Sequence, residues 1–233
     1  MARHSVLWVV GVALPLAALA ESVVPLSLGA ARWEGHVTSM RDLRDAGVVR
    51  QGYDYSCGSA ALATLFTFGL GDPVQEERIL RDIILPLSVE QRAELQKRGL
   101  SLFDLQKYAQ GRGYKAQGFR VPAAQLAKVS RPVIVYIKPR GYDHFAVLKA
   151  VRDGRAYLAD PSLGNVRMPL YRFVDMWADA SGRGVVFAVE RMDSSWPGKY
   201  PLQLAGDTEG LEQLATRELL NVAAPYVAPV QPR

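Results

Sequence analysis

Cys57 is the only cysteine in the 233-residue sequence, so it has no intramolecular partner for a disulfide. It stands in Gln51-Gly52-Tyr53-Asp54-Tyr55-Ser56-Cys57-Gly58-Ser59-Ala60, a polar, glycine-bearing approach to an alanine- and leucine-rich run. That run predicts a helix with Cys57 in its first turn, where unpaired backbone N–H groups and the positive end of the helix dipole favour a thiolate. The chemistry implied is attack of sulfur on a carbonyl carbon. It needs a base to take the thiol proton, a carboxylate to orient that base, and donors for the oxyanion. The plainer role for a lone cysteine is a small buried hydrophobe, so residues far along the chain must decide between the two.

His144 and Asp160 are the base and carboxylate that the sequence offers. His144 opens the apolar run His144-Phe145-Ala146-Val147-Leu148, and Asp160 ends Arg155-Ala156-Tyr157-Leu158-Ala159-Asp160, with Asp153-Gly154 between them as a hairpin turn. Side chains alternate across a strand, so a strict two-residue turn would set residue 147 opposite residue 160 and send His144 and Asp160 to opposite faces. A three-residue loop, Arg152-Asp153-Gly154 with Gly154 left-handed as a bulge, sets residue 146 opposite 160 and makes the pair diagonal neighbours on one face. The second register is the one the chemistry requires. Gln51 is the fourth element: its side-chain amide, with the Cys57 backbone N–H, would donate to the oxyanion of a tetrahedral intermediate. Each residue alone has an ordinary reading, His144 as a half-buried strand residue, Asp160 as a turn residue before Pro161, and Gln51 as a polar strand end.

Around these residues the elements fall in a definite order. Ala61, Leu62, Leu65 and Phe66 recur at helical spacing after Cys57, with Gly69 as the expected stop. Three short helices follow, signalled by caps at Asp72 with Gln75, Ser88 with Gln91, and Ser101 with Asp104. Beyond Gly113 the period changes: strands are predicted at residues 114–121, 132–137, 144–151, 155–160, 165–168 and 184–190, with short helices at 122–129 and 170–177. Helices first and an antiparallel sheet after them indicate an α+β domain.

The chain opens with Met1-Ala2-Arg3-His4, an apolar stretch and Ala18-Leu19-Ala20, which reads as a secretory signal over residues 1–20 cleaved after Ala20. The expected location is the periplasm, with no stable membrane span once the signal is removed; an uncleaved inner-membrane anchor is the alternative. Residues 21–47 read as an N-terminal arm, 48–192 as the domain, and 193–233 as a proline-punctuated extension with one helix expected after Thr208. The formal charge of +5 comes without a basic run interleaved with aromatics, so no nucleic-acid partner is expected. His36 has no second histidine or acidic cluster at ligand spacing, so no metal is expected, and thiol chemistry of this kind calls for no organic cofactor.

Gln51 six positions before Cys57, Cys57-Gly58-Ser59-Ala60 opening a helix, Asp143-His144-Phe145-Ala146-Val147-Leu148, and Asp160-Pro161-Ser162 sixteen positions after the histidine together resemble the bacteriocin-processing cysteine peptidases. Those are papain-like domains, often fused to ABC exporters, that cleave leader peptides after a double glycine. The resemblance covers residues 48–191 and implies a papain-like fold, with the helical part packed on the sheet. It further implies Cys57 as nucleophile, His144 as base, Asp160 as its orienting partner and Gln51 as the oxyanion-hole residue. Ser56 stands where that family often carries an acidic residue. A freestanding exported member of this kind is similar to the peptidases that accompany functional-amyloid secretion, implying an amyloid subunit or secretion component as substrate. Two other functions fit the same residues. One is a transglutaminase-like acyl transferase, with Cys, His and Asp in the same chain order. The other is a non-catalytic domain that binds a secretion signal.

Overall fold

The computed structural model describes residues 23–28, 31–36 and 38–204. The expected signal and the helix expected after Thr208 lie outside the described residues. The chain divides into two units, at Met1–Ser39 and Met40–Arg233. In the first, β1 (Val23–Leu28) pairs antiparallel with β2 (Ala31–His36), Val23 opposite His36. Nothing in residues 21–47 signalled these strands.

The second unit begins with α1 (Met40–Asp45), which passes into the approach to Cys57. The helix predicted there is α2 (Cys57–Thr64), and all eight of its residues are buried. A helix apolar on every side belongs in the middle of a domain, and α2 packs against sheet and helices alike. It runs on through a π-helical segment, Leu65–Leu70, and stops at Gly71 with φ 71° rather than at the expected Gly69. Gly69 serves packing instead: a Cβ there would meet Leu65 at 3.2 Å and the Trp196 ring at 3.3 Å.

The three following helices are α3 (Glu76–Ile84), α4 (Val89–Arg98) and α5 (Leu102–Gly111). Ser88 with Gln91 and Ser101 with Asp104 form complete capping boxes, as the spacing predicts. The third expected cap is different. The Thr67 hydroxyl accepts from Val74 N–H at 3.1 Å and donates to the Val74 carbonyl at 3.2 Å, which delays helix entry to Gln75. Asp72, released from capping, accepts from Arg112 at 2.6 Å and from the Tyr114 hydroxyl at 3.0 Å.

The remaining elements are β3 (Tyr114–Pro122), a 3-10 turn at Ala123–Lys128, β4 (Val133–Ile137), β5 (His144–Arg152), β6 (Arg155–Asp160), β7 (Gly164–Pro169), α6 (Leu170–Trp177) and β8 (Arg183–Arg191). The six strands from β3 to β8 form one antiparallel sheet in the order β3-β8-β4-β5-β6-β7. Both faces are covered, which is why β5 reads as a continuous apolar run rather than an alternation. Ile134, Phe145 and Val147 join the core that contains α2 and α5; Val135, Ala146 and Leu148 pack with Phe173 and Trp177 of α6. This is the α+β arrangement the sequence indicates. Past β8, Leu202 is buried and its N–H donates to the Phe68 carbonyl at 3.4 Å, so the packed chain continues beyond Arg191. Among the described residues no helix is long and apolar enough to cross a membrane.

Candidate active site

Cys57 is the first residue of α2, and Ser56 is its N-cap. The approach loop is closed on itself by Ser56, whose Oγ accepts from Tyr53 N–H at 3.0 Å and donates to the Tyr53 carbonyl at 2.9 Å. Helix geometry leaves the first N–H groups of α2, that of Cys57 among them, without a partner inside the helix. Gly58 lets strand β5 come close behind the nucleophile position: a Cβ there would lie 3.3 Å from both Leu100 and the Phe145 ring.

The hairpin joining His144 to Asp160 answers the question of register in an unexpected way. Asp153 and Gly154 both take positive φ, 50° and 69°, and Arg152 pairs with Arg155, so the turn has two residues. By itself that turn would have separated the pair. The missing residue is supplied inside β5: Leu148 faces Leu158, Ala150 faces Tyr157, and Lys149 between them is an extra, bulged residue. Before the bulge Val147 faces Ala159, so residue 146 falls opposite 160 and His144 lies on the same face as Asp160. The loop bulge expected at Gly154 is thus corrected to a bulge at Lys149, with the same parity at the site.

His144 Nε2 lies 3.1 Å from Asp160 Oδ2. The other oxygen, Oδ1, accepts from the N–H groups of Ser162 at 2.7 Å and Leu163 at 3.0 Å, so the carboxylate is held by its own turn. Exposure falls from the His144 side chain at 14% to that of Asp160 at 6%, and Cys57 keeps 7%. The carboxylate is therefore the enclosed end of the pair. Burial works against an imidazolium at His144, but hydrogen bonds to Asp160 and Cys57 and the charges of both outweigh it, pushing the imidazole up to about 10. With Nε2 on Asp160, Nδ1 is the nitrogen left for the Cys57 thiol. Asp143, next to His144, is engaged elsewhere: the Tyr136 hydroxyl and Lys138 hold its carboxyl below the usual range.

Gln51 is tied in at both ends. Its Oε1 accepts from Ser162 Oγ at 2.6 Å, its Nε2 donates to the Tyr53 carbonyl at 2.9 Å, and its backbone N–H donates to the Pro161 carbonyl at 3.1 Å. One amide hydrogen remains, since a primary amide has two. All four residues singled out in the sequence thus belong to one connected set. One further residue joins it without having been singled out for it, and a second is bonded to α2. Ser162 bridges to Gln51; the signal was the Asp-Pro-Ser turn. Buried Glu76 accepts from Ser59 Oγ at 3.3 Å; no sequence pattern marks it.

With this geometry in place, comparison with known proteins decides the family. The peptidase C39 family matches residues 45–181, more than half of the chain. The chain belongs to the peptidase C39 family. The chain is 37% identical over 153 residues to a Pseudomonas aeruginosa protein named probable functional amyloid protease FapD, covering 66% of this chain and 64% of that protein. A FapD of Pseudomonas fluorescens is 33% identical, with the same coverage. The match spans 64% of the length of both relatives, just under two thirds. Among solved structures, the peptidase domain of Streptococcus ComA, a bifunctional ABC transporter, superimposes with a TM-score of 0.50 at 18% identity, covering 62% of this chain and 98% of that domain. That likeness is one of fold: the C39 domain has the papain-like arrangement of a helical part on an antiparallel sheet.

Proposed function

We propose that this C39 domain is an exported cysteine endopeptidase that cleaves a peptide bond in an amyloid subunit or a component of its secretion machinery. The observation that carries the reading is the His144–Asp160 pair, Nε2 to Oδ2 at 3.1 Å, on whose imidazole Cys57 also acts to favour the charged form. The substrate class rests on the FapD relatives, and export to the periplasm on residues 1–20.

His144 takes the thiol proton and the sulfur attacks the carbonyl carbon of the scissile bond, whose oxygen becomes an oxyanion. The Cys57 N–H and the remaining amide hydrogen of Gln51 donate to that oxygen. The imidazolium gives its proton to the leaving amine, which departs and leaves a thioester. A water then loses a proton to His144 and attacks the thioester, releasing a carboxylic acid and restoring the thiol. Asp160 keeps the imidazole oriented and stabilises its charged form throughout.

The test is mass spectrometry of N-termini in proteins exported by cells carrying Cys57 or Cys57→Ala. A terminus lost in the variant identifies both substrate and bond. Since Cys57→Ala removes one buried sulfur, the purified variant should stay folded by thermal melting. An unchanged set of termini, with the purified variant still cleaving, sinks the proposal.

A further inference from the structure

Resting on that peptidase reading, we infer that Ser162 is a positioning residue for the oxyanion side of the site, and that the single turn after Asp160 sets both the imidazole and the oxyanion donor. Every polar group of Ser162 is committed. Its N–H donates to Asp160 Oδ1 at 2.7 Å, its carbonyl accepts from the Arg50 guanidinium, and its hydroxyl donates to Gln51 Oε1 at 2.6 Å. The backbone of the turn thus holds the carboxylate that holds His144, while its side chain holds Gln51.

The two ends of a primary amide have nearly the same shape, and only their hydrogen-bond partners decide which end points where. The Tyr53 carbonyl can only accept, so it takes the nitrogen of Gln51, at 2.9 Å. The Ser162 hydroxyl then takes the oxygen. Anchored at both ends, the amide plane cannot swing, and the second N–H is held in one direction before substrate arrives. Preset donors stabilise a developing oxyanion because no reorganisation is needed at the moment of reaction. Without the hydroxyl, the Gln51 side chain keeps only the Tyr53 contact and its amide is free to turn.

Ser162→Ala keeps both backbone contacts of the turn and removes only this anchor. Deleting an oxyanion donor outright costs about a hundredfold to a thousandfold in kcat, so loosening one should cost less, about tenfold, with KM within about twofold. Alkylation of Cys57 by iodoacetamide displaces iodide from a methylene carbon and creates no oxyanion. Its rate should therefore equal that of the unaltered protein across pH. Ser162→Thr should restore cleavage, and Ser162→Ala should add no loss in a Gln51→Ala background. Ser162→Gly gives the same readings if the alanine variant folds poorly. A parallel fall in alkylation, or an undiminished loss in the Gln51→Ala background, overturns the role of Ser162 alone. Cleavage that survives Cys57→Ala overturns the peptidase reading and this inference together.

Discussion

Replacing Asp160 by Asn tests the electrostatics of the site with the least change of shape. The Asn carboxamide keeps an oxygen for the Ser162 and Leu163 N–H groups, which now donate to Oδ1 at 2.7 and 3.0 Å. It removes the negative charge 3.1 Å from His144 Nε2 and, with its oxygen kept on the two N–H groups, turns an NH2 donor toward that nitrogen. A hydrogen bond to a charged group contributes about 1.5–3 kcal/mol, and each pH unit corresponds to about 1.4 kcal/mol. The imidazole, held at about 10 in the intact site, should therefore titrate about one to two pH units lower in the variant. Cleavage in this mechanism needs the imidazolium to protonate the leaving amine, so the alkaline limb of kcat/KM should move down by the same amount, and the plateau should fall about ten-thousandfold because the neutral imidazole then carries its proton on Nδ1.

The same substitution has a signature in stability. His144 is raised above its ordinary 6.5, so its pairing stabilises the fold fully below that value and the contribution is lost as pH rises through about 10. Urea unfolding should show Asp160→Asn less stable at about pH 6, with the deficit shrinking at about pH 11. An alkaline limb at the same pH in both proteins, with an equal deficit at both ends of the range, would refute the assignment of Asp160 as the group that holds the imidazolium.

Two substitutions away from the site probe what supports it. Gly184→Ala would put a Cβ 2.3 Å from the Trp177 ring, whose Nε1 donates to the Val185 carbonyl at 2.8 Å; thermal or urea unfolding should show a loss of about 1–3 kcal/mol from overpacking. Ser101→Ala opens the capping box of α5 and should cost about 1 kcal/mol in urea unfolding while cleavage is unchanged, because the cap lies on the exposed surface.

The fold was largely legible because its local signals agree with one another. The capping boxes at Ser88 and Ser101 fall where Ser and an N3 acceptor fix a helix start whatever the surroundings. Leu170–Trp177 and Arg155–Asp160 match their predicted spans, each bounded by turn residues. The failures are places where a distant partner outbid a local preference. Asp72 has the composition of a cap, yet Arg112 and Tyr114, some forty residues on, claim its carboxylate. Gly69 reads as a helix stop, yet Leu65 and Trp196 crowd it and the helix continues to Gly71. The strands β1 and β2 carried no pattern that residues 21–47 could show on their own.

The sequence alone singled out the side chains that could do chemistry: one thiol at a helix start, one histidine opening a strand, one aspartate ending the next, and a glutamine before the thiol. The two-residue turn follows the local preference of Asp153-Gly154 for positive φ at both positions, against the three-residue loop expected from the chemistry. Tertiary structure decided whether these groups meet. The face of His144 depends on the one extra residue at Lys149, whose place in β5 is set by pairing with β6 and not by the identity of Lys149 itself. The hold on Gln51 depends on Ser162, 111 residues away, and no local propensity encodes a contact across that separation.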